Sequence, residues 1–300
     1  MELPIATIAR ICRYPVKGMS AEPLQRVVLA AGEGLPLDRK FALARPGAPF
    51  DPERPTWLGK RHFLMLMSDE RLAALRVAYH DDAARLTIDH GGRREIDADL
   101  RTDAGREAVE RFFQGFMGAD LRGRPRLVSA PGHMFTDNAT KYVSLINLAS
   151  VADLERRLRR PVDPLRFRAN LYVTGLPAWR EFDWLGRELG AGDIRFGVAE
   201  RIDRCAATNV DPVSGLRDLN VPLTIRQAYG HIDCGVLLRV IRGGDLEVGQ
   251  AIAPRERPER AWRPSRASYH HEVSAARSVL LSPRSSGYRS RHNARSGTRG

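Results

Sequence analysis

Cys205 is the residue whose type and setting best suit metal chemistry. It follows the apolar segment 194–202 and precedes a loop rich in Asn, Asp, Pro, Ser and Gly. A thiol at the end of a predicted strand is more accessible than one within it, and a thiolate is a soft donor for metals that also take sulfur ligands. Arg201 and Arg204 lie nearby in sequence and favour the thiolate form. The alternative is a small buried hydrophobic residue, the usual role of an isolated cysteine.

The other two cysteines, Cys12 and Cys234, lie in apolar segments and are predicted to be buried. His231, close to Cys234, is interpreted as structural rather than metal-binding. Three cysteines at wide spacings do not form a disulfide framework. Because the sequence has no CxxC pair, it supports neither a zinc site nor a self-contained iron–sulfur cluster.

Basic residues in three segments could bind an anion. Lys17, one of only four lysines, stands in a Pro/Gly turn, and Gly18 would let a phosphate approach the backbone N–H groups. Arg39 precedes a predicted strand. In a strand, Arg166 and Arg168 would point to the same face, where two guanidinium groups suit phosphate or carboxylate. Taken singly, each of these positions is better explained as a solvated side chain.

Short strands dominate the predicted elements that would position these residues. Alternating or β-branched apolar runs predict strands at 5–11, 26–30, 40–44, 63–67, 84–89, 141–146, 169–174, 194–202, 236–241 and 246–252. Gly243, Gly244 and Asp245 would form the hairpin turn between the last two. Helical spacing predicts helices at 102–117 and 148–158, the second capped by Asn147, and Ser68 is expected to cap a helix through about residue 77.

Many short strands with turn signals favour β-barrels. The predicted fold class is therefore mainly β with flanking helices (α+β). We expect a β-rich domain at 1–120, a β-barrel domain at 121–253 and a disordered basic tail at 254–300. The net charge is +12, and the tail alone contains eleven Arg and three Glu. The body is therefore only mildly basic, which suits an anionic ligand or nonspecific contact with nucleic acid. No aromatic reading surface accompanies the tail arginines, so no specific nucleic-acid partner is expected.

The sequence contains no run of about 18 apolar residues, so no transmembrane helix and no membrane partner are predicted. The first residues resemble a β-strand rather than an export signal. A cytoplasmic location is the resulting expectation.

Several of these blocks resemble one known family. The segments RYPVKGMSAE (13–22) and DRKFAL (38–43) resemble the N-terminal β-barrel domain that accompanies MOSC domains, and residues 167–215 resemble the MOSC domain itself. The latter segment carries R-x-N, an acidic/Trp/Gly stretch, a strand and R-C-x-x-T-x-V-D-P-x-S-G. The closing GGDLEVGQAI (243–252) resembles the last hairpin of that domain. The resemblance spans roughly 3–253, and mitochondrial amidoxime-reducing components and their bacterial homologues are the most similar by pattern.

The resemblance implies a site for a molybdenum–molybdopterin cofactor, with Cys205 as metal ligand and catalytic residue. It implies eight cofactor-binding positions, namely Lys17, Gly18, Arg39, Ser144, Arg168, Asn170, Asp203 and Arg204. Three positions depart from the family pattern, and the mildest change is Ser214, which replaces a common Thr. Gly18 stands where many relatives have a hydroxyl residue, and Asp203 replaces a more usual neutral or thiol residue, which places a negative charge two residues from Cys205.

The function that the resemblance implies is an oxidoreductase that removes oxygen from small N-hydroxylated or N-oxide substrates. Electrons would come from a separate ferredoxin- or cytochrome-type protein. The alternative is a molybdenum-cofactor or sulfur carrier in which Cys205 holds a persulfide. That carrier would work with a separate pyridoxal-phosphate-dependent sulfurase.

Overall fold

The computed structural model of this protein describes residues 4–255, so the predicted tail lies outside the described residues apart from its first two positions. The described part of the chain forms fifteen strands. Their bounds are β1 Ala6–Arg13, β2 Glu22–Leu24, β3 Arg26–Leu29, β4 Ala42–Ala44, β5 Leu75–His80, β6 Arg85–His90, β7 Arg93–Asp99, β8 Arg126–Val128, β9 Val143–Asn147, β10 Leu171–Thr174, β11 Glu188–Ala191, β12 Ile194–Asp203, β13 Asp233–Arg242, β14 Gly244–Glu247 and β15 Ala251–Pro254.

Seven strands close into a barrel in the order β10-β9-β13-β12-β11-β15-β1, and β1 pairs back with β10. Neighbouring strands are antiparallel except β9 and β10, which run parallel and are joined through a helix. The inward residues are apolar; Ile8, Leu145 and Phe196 are fully buried in one cluster. Buried and exposed residues alternate along β1 up to Ile8. The alternation is then interrupted, because the pairing with β10 is irregular between Ile8 and Arg10. Closure leaves no free edge on the main sheet except where β2 extends it from β1.

Residues 4–255 contain three α-helices outside the barrel: α1 Asp103–Met117, α2 Leu148–Leu158 and α3 Val221–Tyr229. The Thr102 side chain accepts a hydrogen bond from Gly105 N at the start of α1, as an N-cap does. Asn147 caps α2 by accepting from Ala149 N. The helices predicted at 102–117 and 148–158 are therefore confirmed.

The segment between β2 and β9 builds a second cluster of apolar side chains. It contains the antiparallel sheet β5-β6-β7, against which α1 packs, and the pair β4–β8. Val109, Phe113 and Met117 recur at intervals of four along α1 and are all buried. Val77 and Ile88 come from the sheet to the same cluster. The sheet and helix together form a small layered unit beside the barrel.

Three predictions about local structure are wrong. The segment 63–67 forms only an isolated bridge at Phe63, and the helix predicted after Ser68 is a short 3-10 turn, Glu70–Ala74, which leads into β5. The final hairpin is absent because β14 pairs with β3. The last strand, β15, pairs with β11 and β1, since those pairings complete the barrel.

Arg166 and Arg168 are also placed differently from the prediction. Residues Pro164–Phe167 form a 3-10 turn, and Arg168 follows in a left-handed conformation with φ of 53°. The strand begins only at β10, because Pro164 and the Asp163 cap favour a turn. The two arginines therefore do not share a strand face.

The predicted fold class, mainly β with flanking helices, is confirmed by the barrel and the three helices. The division at residue 120 stays a prediction, and β1 from the first predicted domain completes a barrel whose other strands lie after residue 142. Among residues 4–255, no helix is both long and apolar enough to cross a membrane.

Candidate functional site

A cavity of about 380 Å³ opens between the end of the barrel and the loops that join it to the smaller unit. This volume falls within the usual range for small-molecule sites. All nine residues predicted for the site line it: Lys17, Gly18, Arg39, Ser144, Arg168, Asn170, Asp203, Arg204 and Cys205. The structure thus brings together residues that lie up to 188 positions apart in the sequence.

Cys205 lies just beyond the end of β12, where the chain leaves the barrel for the 3-10 turn Ala206–Asn209. Its carbonyl accepts hydrogen bonds from the backbone and side chain of Thr208, at 3.1 and 2.9 Å, which fixes the turn. The thiol is half-buried and faces the cavity. Cys12 and Cys234 are buried as predicted, and burial raises the pKa of Cys12 to about 11 and of Cys234 to about 12. These two remain neutral thiols, which leaves Cys205 as the available soft ligand.

Lys17 lies in the turn after β1 and is 6% exposed. Its ammonium group donates to the carbonyl of Phe135 at 3.0 Å and pairs with Asp137 at 2.5 Å. Burial lowers the pKa of Lys17, although the charge of Asp137 opposes the shift. Lys17 therefore lies in the cavity wall as a largely desolvated basic group held by Asp137, and a charge in such a setting interacts strongly with an anion.

Gly18 occupies a position that suits glycine. Its φ is +81°, and an added Cβ would lie 3.2 Å from the carbonyl oxygen of Leu64. A hydroxyl side chain at this position would strain the present backbone, so the departure from the family pattern fits the local packing.

Arg39 and Arg168 both lie over the ring of Tyr14, at 4.5 and 4.4 Å from its centroid. Arg39 pairs with Asp38 at 2.5 Å and donates to the carbonyl of Arg168 at 2.9 Å. Arg168 donates to the carbonyl of Met19 and, among the described residues, has no carboxylate within ion-pair distance. Burial, with the nearby charge of Arg39, lowers the pKa of Arg168 to about 10, so it stays charged at neutral pH. Uncompensated charge here favours a bound anion.

Ser144 and Asn170 bind each other across β9 and the start of β10. The amide oxygen of Asn170 accepts from the backbone and hydroxyl of Ser144, at 3.1 and 2.9 Å. The amide nitrogen of Asn170 donates to the carbonyl of Cys12. These hydrogen bonds stabilise the wall of the cavity. Ser144 and Asn170 therefore shape the site more than they provide free donors to a ligand.

Arg204 is 8% exposed, and its guanidinium group is used inside the protein. It donates to the carbonyl of Cys234, at 2.8 and 2.5 Å, and to that of Phe167 at 3.0 Å. Burial lowers its pKa. Asp203 is exposed at the rim, opposite Asp233 in the β12–β13 pairing. Arg201 does not line the cavity and instead lies over the ring of Phe182.

The structure adds residues that the sequence reasoning missed. Lys60 and Asp137 line the cavity, and the Asp137 carboxylate lies 3.4 Å from the Lys60 ammonium. Met65, Leu66 and Met67 supply an apolar wall. Lysine is scarce in this sequence, and the argument from scarcity that singles out Lys17 applies equally to Lys60.

Arg166 lines the cavity but offers it little free charge. It is 3% exposed and pairs with Asp211 at 3.0 Å and with Asp218 at 2.8 Å. It also donates to the carbonyl of Asn209. Its role is to fix the loop 209–218 next to the turn that carries Arg168.

These features fit a cofactor that combines a thiolate-binding metal with an anionic group. Cys205 offers the soft ligand, and Lys17, Arg39 and Arg168 offer positive charge in a partly desolvated setting. No group of three or more His, Cys, Asp or Glu in residues 4–255 is arranged to hold a metal ion. The donor set is therefore one thiol with basic neighbours.

Comparison with known proteins matches the part of the chain that carries Cys205 and the later residues of the cavity lining. The sequence model of the family described as MOSC domain matches residues 129–253. Mitochondrial amidoxime reducing component 2 of Rattus norvegicus is 36% identical over 122 residues, 37% of this chain and 36% of that protein. Mitochondrial amidoxime-reducing component 1 of Homo sapiens is 33% identical over 89 residues, 30% of this chain and 26% of that protein.

A molybdenum cofactor sulfurase of Caenorhabditis briggsae is 36% identical over 110 residues, 36% of this chain and 15% of that protein. The matched part of this chain thus spans about a third or less of the length of these relatives. The similarity extends to proteins of two kinds, amidoxime reducing components and a molybdenum cofactor sulfurase.

Proposed function

We propose that this chain, whose residues 129–253 are a MOSC domain, binds a molybdenum–molybdopterin cofactor and acts as an oxidoreductase on small N-hydroxylated or N-oxide substrates. The observation that carries the proposal is the half-buried thiol of Cys205 in a cavity with uncompensated basic charge. Relatives named amidoxime reducing components support the reaction class. Electrons would come from a separate ferredoxin- or cytochrome-type protein.

Each residue would contribute one physical task. Cys205 would ligate the metal, and Lys17, Arg39 and Arg168 would bind the pterin phosphate, because charged donors in a desolvated site bind phosphate strongly. The apolar wall at residues 65–67 would keep water from the site. The cofactor supplies the redox and oxygen-transfer chemistry when bound, and the protein orients it and leaves room for substrate.

Metal analysis of the full chain, purified from a molybdenum-replete host, tests this proposal. We expect near-stoichiometric molybdenum in the wild type and its loss in Cys205→Ala. Cys12→Ala is the matched control, since Cys12 is buried away from the cavity, and it should keep the metal. Molybdenum absent from the folded wild type would refute the proposal.

The second candidate function is a cofactor or sulfur carrier that works with a separate pyridoxal-phosphate-dependent sulfurase. The similarity to a molybdenum cofactor sulfurase favours it, and Cys205 would hold the persulfide. Intact-mass analysis would then show about one persulfide per chain. Each persulfide adds one sulfur atom, about 32 daltons, to the mass. That adduct should disappear in Cys205→Ala. A cytoplasmic location remains a proposal that cell fractionation would test.

A further inference from the structure

Lys60 is a basic residue of the cavity that lies outside the matched residues 129–253 and that the proposed function leaves without a role. It opens the 3-10 turn Lys60–His62 at the end of a long loop that follows Phe50. Phe63, immediately after the turn, is buried and bridges to Ala44. Trp57, three residues before Lys60, donates from its indole to the carbonyl of Thr136 at 3.3 Å. The backbone on either side of Lys60 is therefore anchored.

Lys60 and Lys17 share the carboxylate of Asp137 unequally. Lys17 lies 2.5 Å from one oxygen, and Lys60 lies 3.4 Å from the other. The side chain of Lys17 is 8% exposed, whereas that of Lys60 is 33% exposed. Lys17 also donates to a backbone carbonyl, while Asp137 is the only hydrogen-bond acceptor of Lys60 among the described residues. Lys60 thus keeps free donors and lies nearer to solvent.

The charge of Lys60 is secure. Burial lowers its pKa, but the charge of Asp137 and the hydrogen bond to it outweigh burial and raise it. An ammonium group with free donors beside the apolar side chains of residues 65–67 is a point of attachment for an anionic oxygen. Arg39, Arg168 and the tightly paired Lys17 are the residues proposed for the pterin phosphate, so Lys60 is left to contact a substrate that enters from solvent.

We propose that Lys60 is a specificity-determining residue that binds substrate, and that it selects N-hydroxylated substrates which also carry a carboxylate. The ammonium group would donate to the carboxylate while the N–OH group faces the Cys205 side of the cavity. This inference rests on the proposed function. It assigns substrate choice to a residue before position 129, outside the matched MOSC region.

Steady-state kinetics with benzamidoxime and 4-carboxybenzamidoxime test the inference in the molybdenum-loaded full chain, with a chemical reductant. In Lys60→Met we expect KM for the carboxylated substrate to rise about tenfold, as the loss of one charge-assisted hydrogen bond predicts. Its kcat and the KM for benzamidoxime should change less than about twofold, within the effect of an ordinary surface change. Lys60→Arg should restore most of the affinity.

Arg61→Met is the matched control, because it removes one positive charge from the same turn at an exposed residue that does not line the cavity. Its kinetics should match those of the wild type. Equal changes for both substrates in Lys60→Met, a fall in kcat for both, or no rescue by arginine would overturn the inference and indicate a structural role.

Calorimetric binding of 4-carboxybenzamidine separates this inference from the proposed function, since it needs no turnover. Affinity should fall about tenfold in Lys60→Met and stay unchanged in Arg61→Met. If the purified wild type contains no molybdenum, the proposed function is refuted. The calorimetric comparison would still show whether Lys60 binds the carboxylate. Molybdenum-loaded protein with equal affinities in all variants would refute the role of Lys60 alone.

Discussion

The basic side chains around the cavity differ in how much of their hydrogen-bonding capacity the protein itself uses. Arg204 binds two backbone carbonyls, and Arg166 binds two carboxylates. Lys17 is held by Asp137, whereas Arg168 has no carboxylate partner among the described residues. A buried charge without a partner is costly, and a bound anion would offset that cost. The anion-binding function of the cavity should therefore depend most on Arg168 and least on Arg204.

The backbone beside Arg204 requires a glycine at position 235. Its φ is +83°, and an added Cβ would lie 2.3 Å from the carbonyl oxygen of Leu145 and 3.3 Å from Arg204. We predict that Gly235→Ala destabilises the protein by about 2 kcal/mol or more, because both backbone strain and overpacking oppose it. Gly91→Ala is the control for strain alone, since Gly91 has φ of 58° and open space around it. Urea unfolding measures both, and equal losses would contradict the packing argument.

At the scale of elements, hydrogen bonds from loops fix where the helices begin. Glu181 is fully buried and accepts from Asn147 at 3.0 Å and from Ser150 at 2.8 Å, at the first turn of α2. The indole of Trp179 donates to Asp153 of the same helix at 3.0 Å. These contacts attach α2 to the segment that precedes β11, so the helix is fixed by tertiary bonds in addition to its own cap.

The carboxyl group of Glu181 should make stability depend on pH. Burial raises its pKa above the ordinary value of 4.5, although hydrogen bonds from Asn147 and Ser150 oppose the shift. The folded protein then binds this proton more tightly than the unfolded chain, so stability falls as the pH rises from 4.5 through the folded pKa. The Glu181→Gln variant does not lose stability in this way, because glutamine has no carboxyl group to ionise.

We therefore predict that the free energy of unfolding of Glu181→Gln rises relative to the wild type between pH 4.5 and neutral pH. Urea unfolding at several pH values measures the difference. Glu95→Gln, on the three-stranded sheet away from the barrel, is the control. A constant difference between Glu181→Gln and the wild type across this range would rule out the assigned pKa direction.

At the scale of the whole molecule, the barrel needs a strand from outside the matched domain. Strand β1 pairs with β10 on one side and β15 on the other, and its inward residues Ala6, Ile8 and Ile11 belong to the barrel core. The other six barrel strands all lie between Val143 and Pro254. Without β1 the sheet would have two open edges and a gap in its core.

We predict that residues 129–255 alone do not unfold cooperatively on heating, whereas residues 4–255 do. Calorimetry or circular dichroism measures the transition, and cooperative unfolding of a folded barrel implies that all its strands are present. A fragment 129–255 with a sharp transition and native-like β content would show that β1 is dispensable.

Sequence periodicity found the elements whose own residues specify them. The α1 and α2 helices have caps and buried stripes, and the apolar strand β12 leads directly to Cys205. It missed β7, whose sequence RREIDAD is mostly polar because one side faces solvent. It also missed α3, which is short and begins with Val221-Pro222. Propensity is weak in such segments, and tertiary pairing decides them.

The sequence by itself determined the mainly β fold class and the distinction between Cys205 and the two buried cysteines, and its resemblance to a known family named the site residues that gather around the cavity. These depend on local pattern and on motifs that occur in order along the chain. Only the tertiary structure decided the closure of the barrel by β1, the pairing of β14 with β3, and the position of Lys60 and Asp137 in the cavity that Cys205 lines. The reason is physical: pairing partners and cavity walls are set by contacts between segments far apart in sequence, and no local pattern encodes which distant segment will provide them.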